Sequence, residues 1–342
     1  MFWVLIRQNK DNLIRKLNFN IFMNNILSST KFVVENARYV KIDNDKIKEF
    51  CKNFNHGDIK HWLSEAPLDF SKLSEEQILN FLLVYSTIGF CYWGNPPWSI
   101  EYNRNKYLGS FAMIAAIMKA HKNGIKILDP KYRNQISKKE FAKILDIRDN
   151  NKIYLFNERL KFLNESGKVI LEKYNGKVQN LLKSAGGDVI KLLKVLIKNF
   201  SSYNDSYKYG GKEVHFNKKA QLFISDVFQI FEGEGIGHFY NIQEITALAD
   251  YRIPQVLRKL GILVYSKELA EKIDKGILIS KGSQEEIELR ANMIWAVQLI
   301  YTSIKDREQR LLPIGINDHI WLIRRQKFPE DKIHHKTITT AY

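Results

Sequence analysis

Apolar residues recur at helical spacing along most of this chain, and polar caps mark where the runs begin. Ser74 with Gln77 precedes the apolar run Ile78 to Ile88, as a capping box would. Ser283 with Glu286 opens a longer run through Ile287, Ile294, Val297 and Ile300 to about Ile304. Phe223, Ile224, Val227, Phe228 and Phe231 form one buried face of a helix resuming at Ala220. Asp226 borders that face, where a carboxylate is expected to pair with a nearby lysine. Further helices are expected over 109–122, 137–146, 155–172, 174–184 and 187–198, and 124–128 is β-prone. Near the start, a short helix, an extended Tyr39 to Ile42 and a helix from Asp45 to Phe54 follow one another.

One break stands out. Asn241-Ile-Gln-Glu244 reads as another capping box, and Ile242, Ile245, Leu248 and Ala249 continue it at helical spacing. After Asp250 the chain turns; Pro254 suits the first turn of a new helix that Gly261 can close. The pattern therefore predicts a mostly α protein, a single large helical domain with few short strands. Two stretches interrupt it. Phe90-Cys-Tyr92-Trp93-Gly-Asn-Pro-Pro97-Trp98 is a rigid aromatic bend, and Phe200 to Gly211 reads as an irregular polar and aromatic loop.

Composition narrows the chemistry. The 342 residues are 45% hydrophobic and 12% aromatic, enough for a large core. The net charge of +16 is spread over every segment rather than clustered as a polyanion footprint. Cys51 and Cys91 lie far apart, which suits a reducing compartment. No Gly-rich phosphate loop, His-Glu-x-x-His or membrane-length apolar run is present. A metal- and cofactor-independent protein of the cytoplasm is expected. Residues 1–27 read as a poorly ordered or targeting-like extension, and 28–342 as the working domain.

Three places combine reactive groups with aromatic walls. The bend at Tyr92 and Trp93 either plugs the core or stacks on a flat heterocycle. Lys218 and Lys219 open a helix, where lysines are solvated unless an anion meets the positive helix end. Asp250, Tyr251 and Arg252 sit at the helix break. A local Asp–Arg ion pair accounts for that carboxylate as well as catalysis does. If a lysine and an aspartate converge there, the ionised carboxylate suits an oxocarbenium-like transition state, the chemistry of N-glycosidic cleavage.

The same residues carry a resemblance. Phe90-Cys-Tyr-Trp93 with Pro97-Trp98, Phe216-Asn-Lys-Lys-Ala-Gln221 with Ser225-Asp226, Ala249-Asp-Tyr-Arg-Ile-Pro-Gln255, Leu260-Gly261 with Tyr265-Ser266, and Glu286-Ile-Glu-Leu-Arg-Ala291 follow in order. Together they resemble the queuosine salvage protein family, the queuosine 5′-phosphate N-glycosylases, from about Ser28 to Tyr342. The resemblance implies a helical fold related to helix-hairpin-helix DNA glycosylases. It also implies hydrolysis of queuosine 5′-monophosphate to queuine for reinsertion into tRNA, without a cofactor, a membrane or an obligatory nucleic-acid partner. Asp250 matches the family's catalytic aspartate, and Lys218, or adjacent Lys219, its partner lysine. A contact to the base falls on Asn317 or Asp318, just before Ile320-Trp321. Tyr92, Trp93, Phe200 and Tyr203 are candidates for enclosing the base, with Tyr251 and Trp321 nearby; Arg252 is a candidate for the sugar-phosphate. The competing class is a nucleic-acid-binding or base-excision module on the same scaffold.

Overall fold

The computed structural model describes residues 25–342, apart from 56, 58, 307–310 and 325–331. Helix α1 (Asn25–Glu35), strand β1 (Val40–Ile42) and α2 (Asn44–Asn53) lead into α3 (Glu75–Ile88). A hairpin, β2 (Ser99–Tyr102) and β3 (Asn105–Leu108), precedes α4 (Gly109–Lys122). Then come α5 (Pro130–Gln135), α6 (Lys138–Ile144), α7 (Phe156–Tyr174), α8 (Val178–Lys183) and α9 (Val189–Asn199). A second hairpin, β4 (Ser206–Tyr209) and β5 (Lys212–His215), leads to α10 (Lys218–Ile230). The chain closes with α11 (Arg252–Lys259), β6 (Leu263–Tyr265), α12 (Lys267–Asp274), α13 (Gln284–Ile304) and α14 (Pro313–Ile323). Strand β6 pairs antiparallel with β1. The expected extension 1–27 lies outside the described residues, except that Asn25–Leu27 start α1.

Local rules set most of these elements. Ser74 and Gln77 close the expected capping box on α3, whose residues from Leu79 to Ile88 are all buried. Helix α4 is apolar all round from Phe111 to Met118 and is likewise buried throughout that run. In α9 the buried face is Val189, Leu192, Leu193 and Leu196, the spacing of a helix lying on a core. Gly167 lets α7 approach α5, because a Cβ there would stand 2.5 Å from the Asn134 nitrogen and the Pro130 carbonyl oxygen. Helix α13 passes through the middle, against α1, α2, α14 and β1. Even its Glu286, Glu288, Arg290 and Asn292 are buried, so each needs partners. Glu288 receives the amides of Arg38, Tyr39 and Val40 and so fixes the start of β1.

Several sequence expectations are corrected. Residues 124–128 form no strand, because the amides of Gly124 and Ile125 return to the carbonyls of His121 and Ala120 to close α4. Within Phe200–Gly211 there is a hairpin strand rather than only a loop: Gly210 and Gly211, both at positive φ, turn β4 into β5. Asn241–Ala249 forms one short 3₁₀ turn, Ile242–Glu244, and then a buried extended segment. There the Thr246 amide donates to Gln221 Oε1, the Leu248 amide donates to Asn317 Oδ1, and Arg290 Nε donates to the Ala249 carbonyl. Tertiary partners replace the helical ladder that the periodicity favoured. Among the described residues no helix is long and apolar enough to cross a membrane.

Candidate active site

The break between that extended segment and α11 opens onto a cavity of about 390 Å³. Asp250 and Lys218 both line it. Each stands at the start of a helix, and different parts of the sequence put them there. Asp250 Oδ1 accepts from the amides of Arg252 and Ile253, at 2.8 and 2.9 Å, so the carboxylate caps α11. Gly261, at φ +72°, follows the far end of that helix as expected. Lys218 is the first residue of α10, and its amide donates to Asp205 Oδ2 at 3.3 Å.

Burial raises the Asp250 carboxyl above its ordinary pKa, against the opposing pull of Lys218 and the two capping amides. Burial likewise lowers Lys218, with Asp250 and Asp226 pulling it back up. The two side chains are half-buried and sense each other's charge; the Lys218 ammonium makes no hydrogen bond or ion pair with the described residues.

Tyr92, Trp93, Tyr251, Arg252, Asn317, Asp318 and Trp321 also line the cavity, so the expected residues largely converge. Phe200, Tyr203 and Lys219 do not reach it. Phe200 and Tyr203 belong to the core; the Tyr203 hydroxyl meets Ser86 Oγ at 2.7 Å and Thr87 Oγ1 at 3.2 Å. Their loop bears a 3₁₀ turn that points them inward rather than toward a ligand. Tyr203→Phe should therefore lower stability by roughly 1–2 kcal/mol in thermal melts and leave turnover unchanged. Lys219 is fully buried one residue past Lys218, donating to the Thr87 carbonyl and lying over the rings of Phe90 and Phe162. Of the two lysines only Lys218 faces the cavity.

The cavity also takes residues that the sequence did not single out for a site: Trp62, Tyr85, Leu222, Leu248, Arg324, His334 and Tyr342. Trp62 stands edge-on to Trp321 with ring centroids 5.4 Å apart, and Tyr251 lies 4.7 Å from the His334 ring. His334 Nδ1 meets the His335 carbonyl at 2.7 Å. Burial, with the Arg252 charge nearby, pushes its pKa down to about 2, so the ring is neutral. At the cavity rim Gln255 Oε1 accepts from both Arg252 Nη1 and Arg324 Nε, which holds two guanidinium groups close together.

Another part of the wall is acidic. Asp318 accepts from the Trp62 amide, Gln229 Nε2 and Asn317 Nδ2. Burial lifts its pKa to about 6, with the His61 charge opposing. Asn317 turns its own oxygen away, to the Leu248 amide. Behind this wall Asp226 accepts from the Trp62 indole at 2.8 Å and faces His61 Nε2 at 3.1 Å. The lysine partner expected for Asp226 is replaced by this histidine and tryptophan.

Carboxylates, a lysine and two arginines thus face one aromatic-walled space large enough for a nucleotide. Comparison with known proteins agrees with that chemistry. The model of the family described as queuosine salvage protein matches residues 69–342. A queuosine 5′-phosphate N-glycosylase/hydrolase of Sphaerobacter thermophilus is 32% identical over 318 residues, covering 93% of this chain and 97% of its own. The protein of the same name from Mus musculus is 32% identical, with 87% and 92% covered. That from Dictyostelium discoideum is 29% identical, with 93% and 98% covered. On the extent of the family match and these full-length likenesses, the chain belongs to the queuosine salvage protein family.

Proposed function

We propose that this protein hydrolyses the N-glycosidic bond of queuosine 5′-monophosphate and releases queuine for reinsertion into tRNA. The observation that carries the reading is the meeting of Asp250 and Lys218 in one aromatic-walled cavity. Asp250, ionised, lies against C1′ and stabilises the positive charge that develops as the C1′–N bond breaks. Its free oxygen orients a water that bonds to C1′. The proton lost from that water balances the one gained by the departing base. Lys218 holds the ribose-phosphate, and Arg252 with Arg324 meets the phosphate. Tyr92, Trp93, Trp62 and Trp321 enclose the base, and Asp318 with Asn317 hydrogen-bonds its polar edge.

Asp318 gives this assignment a pH signature. The group is an anion above about 6 and neutral below. As an acceptor from the base it should bind better ionised, so KM rises as pH falls through that value, and Asp318→Asn flattens the change.

The same reading makes 28–342 one N-glycosylase domain, related to the helix-hairpin-helix DNA glycosylases and working in the cytoplasm on a small molecule. Queuosine 5′-monophosphate, the unphosphorylated nucleoside and intact modified tRNA are each incubated with the protein, and free queuine is measured. Release from the monophosphate is expected. Cleavage of tRNA but not of the monophosphate would overturn the reading in favour of a nucleic-acid glycosylase.

A further inference from the structure

Lys218 and Asp250 lie 32 residues apart in sequence, and the helix that begins at Lys218 is not capped by the residue before it. Asn217 precedes α10 in the left-handed region, at φ 48°, and its side chain caps nothing. The work is done by Asp205, from the loop before β4. Its backbone carbonyl accepts from the Phe216 amide at 3.0 Å, and its carboxylate accepts from the Lys218 amide. Asp205 is thus a remote N-cap for the helix that presents Lys218.

The same carboxylate is gripped from the other side. Arg290, wholly buried on α13, donates Nη1 to Asp205 Oδ1 at 2.9 Å and Nη2 to Asp205 Oδ2 at 2.5 Å. Its Nε donates to the carbonyl of Ala249, the residue before Asp250, at 3.2 Å. One planar guanidinium therefore ties the peptide that leads into Asp250 to the carboxylate that caps Lys218. It also lies 4.6 Å beneath the ring of Tyr342, a cavity wall. Neither Arg290 nor Asp205 lines the cavity.

We propose that Arg290 and Asp205 are a positioning pair that sets the placement of Lys218 relative to Asp250. The inference rests on those two residues acting as proposed above. A lysine at 290 cannot reproduce the three-way fork, because an ammonium is a point donor on a flexible stem. Asparagine at 205 leaves one oxygen to share between the Lys218 amide and Arg290. Either change shifts one reacting group against the other while the aromatic walls and arginines stay in place.

The test compares Arg290→Lys, Asp205→Asn and the triple variant Asp205→Asn/Glu286→Gln/Arg290→Gln, which removes the three coupled buried charges together and so spares the fold an unpaired one. Glu288→Gln is the control, since Glu288 is buried on the same helix but holds the amides of Arg38, Tyr39 and Val40 and the Tyr209 hydroxyl, away from the cavity. Steady-state queuine release is measured per folded molecule, with thermal melts alongside. The pair variants are expected to lose roughly 10–100-fold in kcat. Their KM should stay within about twofold of wild type, and the control should lose stability without losing kcat. Unchanged kcat in folded pair variants, or failure of all three to fold, overturns the positioning role. A wild-type protein that releases no queuine would instead overturn the proposed function.

Discussion

Asp250→Asn is expected to reduce queuine release by about 10³-fold or more, a loss of roughly 4 kcal/mol of transition-state stabilisation. The substitution is close to isosteric. The amide oxygen can still accept from Arg252 and Ile253, so the cap on α11 survives. What disappears is negative charge beside the position proposed for C1′. Burial already disfavours the ionised carboxyl in the wild type. A neutral amide should therefore leave the melting temperature unchanged or raise it. This combination separates catalysis from structure. A carboxylate that merely pinned the turn through Arg252 predicts the reverse, with lower stability and full turnover per folded molecule. Turnover within tenfold of wild type in a well-folded variant would remove Asp250 from the reaction; queuine release and a thermal melt on the same sample decide it.

How much of this site was legible in the sequence depended on whether the determinant was local. The capping box at Ser74 and Gln77, the run at 109–122 and the stop at Gly261 were legible because caps and periodicity act within a turn or two. Residues 241–249 misled for the opposite reason. Their apolar spacing fits a helix, but Gln221, Asn317 and Arg290 supply the hydrogen bonds that keep the segment extended, and these come from other helices. The aromatic residues show the same division. Tyr92 and Trp93 lie in a bend too rigid to be helix, and they line the cavity. Phe200 and Tyr203 looked alike but turn inward to Ser86 and Thr87. Nothing near Trp62 or Tyr342 in sequence marks them as neighbours of Asp250. Only the packing of the segments they end or begin brings them there. Lys218 and Lys219 were indistinguishable as text, and a helix separates them because successive residues point about 100° apart.

Lys218→Gln should then produce the second largest loss, about 10²-fold in kcat/KM. Glutamine keeps the helix start, whose amide is held by Asp205 through the backbone. It removes the cation that shares the cavity with Asp250 and is proposed to hold the sugar-phosphate. The wild-type pH profile carries a further mark of the pair. Burial raises Asp250, so activity should fall on acidification before the ordinary aspartate range is reached. Burial lowers Lys218, so the alkaline decline should begin below the ordinary lysine range as the ammonium loses its proton. In Lys218→Gln the alkaline limb should vanish and the acid limb should move upward, because the carboxylate has lost its nearest stabilising cation. On the proposed mechanism the two residues act on one bond, so their losses should not add. The double variant with Asp250→Asn should be no slower than Asp250→Asn alone by more than about threefold. Additive losses would mean that Lys218 serves a step separate from the one Asp250 assists. An alkaline limb that persists in Lys218→Gln would assign that ionisation to another group.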